Sequence, residues 1–256
     1  IKLDSLTTTS HGSGAGRILL NVDGGACLTL PSLFAVGSTE FHVTNGAKLK
    51  AGNSAWTYSA TGLNGYQNYT LLSSEGKGSI LDLSGMTELN DNVDIGRHAT
   101  HSHSIVARNG GVIDFSNLRT IIGPRGEDTL NIQVDGVTVL ELPALTSVNS
   151  VALSVTNGGK IEAKNTSWKY SGTGKNAYRN YTLFSADGGG SVLDLSGMTE
   201  LNDNVDIGRH ATHSHSIVAR AGGTVDLSGL QTIVGPAATD MLNINVGHGS
   251  NIKLDS

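Results

Sequence analysis

The chain repeats itself over almost its whole length. Residues 79–108 recur as residues 191–220 with one change in thirty positions, at an offset of 112 residues. The same offset aligns residues 41–73 with residues 153–185. Repetition at a fixed period is typical of a structure in which each unit packs against its neighbours. We therefore predict a single continuous structure over residues 1–256, with repeat units at about 1–112 and 113–224 and a partial third unit at 225–256.

A shorter period lies within each unit. Triplets of an apolar, a polar and an apolar residue recur, and the spacing of their centres runs 27, 21, 32 and 32 residues before it starts again. This alternation is typical of a strand with one buried face. A short strand of this kind cannot bury its apolar face alone, whereas stacked coils share one core. The triplet centres are Lys2, Thr29, Lys50, Asp82, Asp114, Glu141, Glu162, Asp194, Asp226 and Lys253.

The two periods together predict an all-β fold. We expect a right-handed parallel β-helix (β-solenoid) of about ten rungs, built from a 112-residue, four-rung internal repeat. Each rung is expected to carry three short strands, for example residues 80–83, 93–95 and 104–107. Turns that contain Gly and Asn precede many triplets, and both residues tolerate the positive φ of a sharp corner. A leucine-rich-repeat horseshoe has a similar period, but its leucine ladder is missing from most rungs.

Composition and charge narrow the classes of function. The net charge is -5 and the chain has no cluster of Lys and Arg, so we expect no nucleic-acid partner. No run of 18 apolar residues is present, and the sequence therefore predicts no membrane span and no targeting segment. The single cysteine, Cys27, is expected to be a small buried apolar residue rather than a reactive thiol.

The style of the repeats resembles a known class of protein. The segments VTNGGKIEA, ARNGGVIDFSNLRTI and GGTVDLSGLQTI are similar to the right-handed parallel β-helix repeat regions of large bacterial surface and adhesin-type proteins. The resemblance covers the whole chain. It implies an extracellular location at the cell surface and a role as a scaffold, stalk or adhesin.

Aromatic residues are concentrated in two equivalent segments. All six Tyr and both Trp of the chain lie there: Trp56, Tyr58, Tyr66, Tyr69, Trp168, Tyr170, Tyr178 and Tyr181. Tyr and Trp are common at interfaces because they combine an apolar ring with a polar group. These eight residues are therefore our candidates for contact with surface glycans or a protein partner. The alternative is an aromatic cluster that packs against the wall or end of the solenoid.

Histidines are concentrated in the next rung of each unit. Six of the nine lie in the two RHATHSH segments, as His98, His101, His103, His210, His213 and His215. Three imidazoles in one loop are candidate ligands for Zn²⁺ or another transition metal, with Asp91 or Asp94 as a fourth ligand. The alternative is a polar loop that bonds to its neighbours. The outward Asp and Glu of the triplets are more typical of a solvated face than of an active site, and no cofactor is implied.

The pentapeptide IKLDS occurs at residues 1–5 and again at residues 252–256. We predict Ile1, Lys2 and Leu3, together with Ile252, Lys253 and Leu254, as assembly ends that stack on a second copy or continue into a longer solenoid.

Duplication also favours a structural role over catalysis, which normally needs one preorganised site. The first hypothesis is therefore a structural extracellular β-solenoid and not an enzyme: a segment of a longer repeat protein or an end-to-end assembling fibre, stalk or adhesin. A multivalent carbohydrate-binding module that uses the Trp and Tyr loops is the second hypothesis. A polysaccharide-degrading β-helix enzyme is the third.

Overall fold

The computed structural model describes residues 1–10, 16–52, 54–60, 67–92, 101–126, 128–172, 180–205, 213–237 and 239–254. Every helix or strand assigned within these ranges is a strand. All strand pairs are parallel, and each strand pairs with strands three places before or after it in the chain. The chain is thus an all-β parallel solenoid, as the sequence predicted.

The strands are numbered in chain order. They are β1 (Thr8–Thr9), β2 (Ile18–Val22), β3 (Cys27–Thr29), β4 (Ala35–Gly37), β5 (Thr39–Thr44), β6 (Lys48–Lys50), β7 (Trp56–Ser59), β8 (Tyr69–Glu75), β9 (Ile80–Asp82), β10 (Met86–Asn90), β11 (Ser102–Arg108), β12 (Val112–Asp114), β13 (Thr120–Ile122), β14 (Thr129–Asp135), β15 (Val139–Glu141), β16 (Ser147–Asn149), β17 (Val151–Thr156), β18 (Lys160–Glu162), β19 (Trp168–Ser171), β20 (Tyr181–Asp187), β21 (Val192–Asp194), β22 (Met198–Asn202), β23 (Ser214–Arg220), β24 (Thr224–Asp226), β25 (Thr232–Val234), β26 (Met241–Val246) and β27 (Asn251–Lys253).

Every third strand belongs to the same face of the solenoid. Face 1 contains β1 and every third strand up to β25, and face 2 contains β2 and every third strand up to β26. Each of these faces is a continuous nine-stranded sheet. Face 3 is divided into a four-stranded sheet that ends at β12 and a five-stranded sheet that begins at β15.

The triplets found in the sequence form face 3. Their centres pair in register from Thr29 through Lys50 and Asp82 to Asp114, and Lys2 forms an isolated bridge to Thr29. In the second sheet the centres pair in register from Glu141 to Lys253. Alternation of apolar and polar residues therefore located this face correctly.

Two expectations about individual segments need correction. The strand that follows β9 is β10, whose Met86 and Leu89 are fully buried, rather than a strand at residues 93–95, which lie outside the described ranges. Cys27 is exposed and not buried. It precedes Leu28, which packs against the core, and neighbouring residues of a strand point to opposite sides.

The core is one apolar cluster that extends from Val22 to Leu227. Like side chains stack coil upon coil: Leu49 on face 3 pairs in register with Leu81, which pairs with Ile113. All three are at most 3% exposed. Burial of each such side chain contributes about 1.5–3 kcal/mol. The shared core therefore holds neighbouring coils together and makes the stack one cooperative unit.

The corners between faces 2 and 3 depend on residues with positive φ. Asn45 and Gly46 have φ of 52° and 77°, and Asn157 and Gly158, their equivalents in the second unit, have φ of 52° and 89°. The carboxylate of Asp135 accepts hydrogen bonds from Thr156 Oγ1 (2.6 Å) and Asn157 Nδ2 (2.7 Å). These bonds hold the corner and lower the pKa of Asp135.

Candidate functional site

The aromatic candidates lie inside the solenoid. Trp56 and Trp168 are at most 1% exposed, and each indole N–H donates to the backbone carbonyl five residues before it (2.7 and 2.8 Å). The hydroxyl of Tyr58 donates to the Thr39 carbonyl (2.8 Å). Strand alternation explains this position, because the Trp and Tyr of face 1 are two residues apart and both point inward.

The two tyrosines that begin β8 and β20 also point inward. Tyr69 and Tyr181 are 4% and 9% exposed, and each ring meets the edge of a histidine ring at 5.3 Å between centroids. These are His103 and His215.

The prediction that the described aromatic residues form an exposed ligand-contact surface is therefore wrong. Trp56, Tyr58, Tyr69, Trp168, Tyr170 and Tyr181 belong to the packed core, which is the alternative that the sequence left open. Tyr66 and Tyr178 lie outside the described residues.

A buried pair of a histidine and an aspartate occurs once in each unit. Nδ1 of His103 lies 2.7 and 2.9 Å from the two carboxylate oxygens of Asp91, and the side chains are 1% and 0% exposed. In the second unit His215 Nδ1 lies 2.7 and 2.8 Å from the oxygens of Asp203. Burial raises the pKa of the Asp203 carboxyl, and the hydrogen bond from His215 opposes this shift. Each pair thus fixes a histidine ring between faces 1 and 2.

The neighbouring histidines have their own acidic partners. The backbone N–H of His101 donates to Asp128 Oδ1 (2.8 Å), and its ring nitrogen Nδ1 lies 3.6 Å from the same oxygen. The backbone N–H of His213 donates to Asp240 in the same way (2.8 Å). No group of three or more metal-binding side chains occurs among the described residues. Because His98, His210 and Asp94 lie outside those ranges, the metal hypothesis stays a prediction.

The outward carboxylates of face 3 are bonded to their immediate neighbours. Ser84 Oγ donates to Asp82 (2.7 Å) and Ser196 Oγ donates to Asp194 (2.6 Å). Lys253 Nζ lies 2.9 Å from Asp226, whose pKa is lowered by this contact against the opposing effect of burial. Such local pairing relieves the repulsion of like charges stacked in register, which gives these carboxylates a structural role.

The last described coil exposes residues that are buried in the middle of the solenoid. Ile244 and Val246 of β26 are 40% and 54% exposed, whereas Ile132 and Val134, which lie 112 residues earlier, are at most 1% exposed. The difference arises because β14 is covered by β17 on its other side, while β26 pairs only with β23 among the described strands.

Other residues of the predicted assembly ends are also exposed. Leu254 is 49% exposed, and at the opposite edge Ile1 and Leu3 are 88% and 40% exposed. The Lys2 side chain forms a 2.8 Å ion pair with Asp4, and Ile252 packs partly against the core. Lys253 forms the ion pair with Asp226 described above. Both edges therefore present a mixed apolar and charged surface.

No protein-family model, no curated protein and no solved structure matches the chain. No helix that is long and apolar enough to cross a membrane occurs in the described part of the chain. The solenoid is thus established by the strands of this chain, and the resemblance to adhesin-type surface proteins stays a prediction.

Proposed function

We propose that this chain is a structural extracellular β-solenoid that acts as a fibre, stalk or adhesin segment at the cell surface. In this proposal it is a right-handed solenoid of ten rungs with a four-rung repeat, and it stacks end to end or continues into a longer solenoid. The observation that carries the proposal is the exposed apolar edge of β26, because a further coil on that edge would bury it.

The register of face 3 supports the ten-rung, four-rung-repeat description. Nine of the ten triplet centres lie on strands of this face, and Lys2 extends the ladder through its bridge to Thr29. The 112-residue offset carries β7 onto β19, which is four strands further along face 1. One repeat therefore corresponds to four coils of about 4.8 Å each.

The two edges of the solenoid are complementary in their inward side chains. Leu20 and Val22 of β2 occupy the repeat positions of Ile244 and Val246, and these columns are already apolar in every unit. Stacking β2 of one copy on β26 of another would continue both columns. Such contact joins unlike ends, so it does not close and produces an open filament.

The buried Asp–His pairs also favour a structural role over an enzyme. Both carboxylates are fully buried in the core, with their oxygens engaged by a histidine. A catalytic carboxylate needs access to a substrate. The pairs therefore stabilise each unit from within.

Negative-stain electron microscopy and light scattering test the assembly. We expect the purified chain to form unbranched rods that lengthen with protein concentration. Replacement of Ile244 and Val246 by Lys should stop growth, because two charges cannot be buried at the contact. Val137→Lys is the control, since Val137 is 87% exposed away from this edge. A wild-type chain that stays monomeric at high concentration, or a double variant that still forms rods, contradicts stacking through β26.

A further inference from the structure

The two repeat units differ at one place on face 2 where a cleft forms between neighbouring coils. Pairing of β17 with β20 begins only at Leu153 and Phe184, although β20 itself begins at Tyr181. The Tyr170 hydroxyl instead donates to the carbonyl of Val151 (3.0 Å). The first residues of the two strands therefore diverge, and a cavity of about 240 Å³ opens between them.

In the first unit the equivalent place is occupied by the chain itself. The guanidinium of Arg17 lies 5.3 Å from the centroid of the Tyr69 ring, and its Nη1 lies 3.1 Å from Glu40 Oε1. The other oxygen of Glu40 lies 3.2 Å from His42 Nε2. The residues 112 positions later are Thr129, Ala152 and Ser154. The second unit thus keeps the tyrosine and loses the three side chains that lie beside it in the first unit.

The cavity in the second unit has a neutral lining. Its described lining residues carry no charge at neutral pH, and burial raises the pKa of the Tyr170 hydroxyl further. Ala152 and Leu183 supply apolar surface, whereas Asn131, Asn180 and Thr182 supply amide and hydroxyl groups. Amides and hydroxyls both donate and accept hydrogen bonds, so they suit a ligand whose groups do the same.

We propose that this cleft binds one neutral sugar ring. Adjacent sugar hydroxyls both donate and accept, which matches the polar rim, and the C–H face of a pyranose suits the apolar floor beside Tyr181. An ionic ligand lacks a partner there, because Ala152 replaces the carboxylate of Glu40. The small volume admits a single ring, for which we expect a dissociation constant on the order of 1 mM. The site does not depend on assembly of the solenoid.

The experiment uses the full chain and the methyl glycosides of glucose, galactose, mannose and N-acetylglucosamine. Binding is followed by NMR on the side-chain amides of Asn180 and of Asn68, its equivalent in the first unit. We expect at least one glycoside to shift the Asn180 signal and to leave the Asn68 signal unchanged. Arginine amide is titrated as the cationic comparison.

Exchanging the three differing residues between the units provides matched variants. The variant T129R/A152E/S154H should close the cleft and weaken binding by about tenfold or more. The variant R17T/E40A/H42S should open a second cleft, so that Asn68 also shifts. Thermal unfolding checks that both variants fold, and each contains only residues that the other unit already accommodates. No shift of Asn180 with any glycoside, a shift with arginine amide alone, or a shift that survives closure overturns the proposal.

Discussion

Removing the carboxylate of Asp203 should destabilise the second unit strongly. Asp203 is fully buried, His215 is 3% exposed, and the carboxylate holds His215 Nδ1 at 2.7 and 2.8 Å. Asp203→Ala leaves that nitrogen in the core without its partner, and breaking a buried pair in this way costs about 3–5 kcal/mol. Glu200→Ala is the matched control, because its 2.7 Å ion pair with Lys169 is exposed. That change should cost about 0–1 kcal/mol.

Urea unfolding and hydrogen exchange together measure this effect. Stacked coils open locally, so exchange should accelerate first in β22 and β23, which carry the pair, and much less in β10 and β11 of the first unit. Replacing Asp203 and His215 together by Ala and Leu should recover part of the loss, because no unpaired polar group then remains. An Asp203→Ala protein within about 1 kcal/mol of wild type, or uniform acceleration along the chain, would refute the reasoning.

Three further predictions concern the corners of the solenoid. Ala221 has φ of 50° where the first unit has Asn109, so Ala221→Asn should raise stability by about 0.5–1 kcal/mol in urea unfolding. A Cβ on Gly223 would lie 2.3 Å from the Ala186 carbonyl oxygen, and Gly223→Ala should therefore lower the thermal midpoint by several degrees. Because hydrogen bonds lower the pKa of Asp135 from 3.8, its contribution to stability is complete above that pH and is lost as the pH falls below it. Asp135→Asn should remove this contribution, as urea unfolding across the acid range will test.

The sequence predicted face 3 well because one repeated pattern encodes it. A polar residue between two apolar ones fixes the inward side, and equal spacing in both units fixes which triplets are neighbours. The register from Glu141 to Lys253 follows from these two facts. The separation of β12 from β15 has no such signal, because their triplets are as regular as the others.

The position of the aromatic residues was wrong for an identifiable reason. Clustering of Trp and Tyr indicates only that they lie near one another, whereas alternation along β7 and β19 determines which way they point. The pattern Trp-x-Tyr was available in both segments and is that of two inward residues. The Asp–His pair was not predictable, because Asp91 and His103 lie on different faces and meet only when the coil closes.

The cleft beside Tyr181 shows how the two units can differ without loss of the fold. In the first unit Glu40 is 5% exposed, so Arg17→Thr alone would leave a buried carboxylate without its guanidinium. Loss of Glu40 together with Arg17 removes both charges and avoids that penalty. The second unit shows this paired replacement, with Thr129 and Ala152 at the two positions. We therefore expect Arg17→Thr to lower the midpoint of urea unfolding more than the R17T/E40A/H42S variant does. The reverse order would mean that the ion pair does not control the fit of this corner.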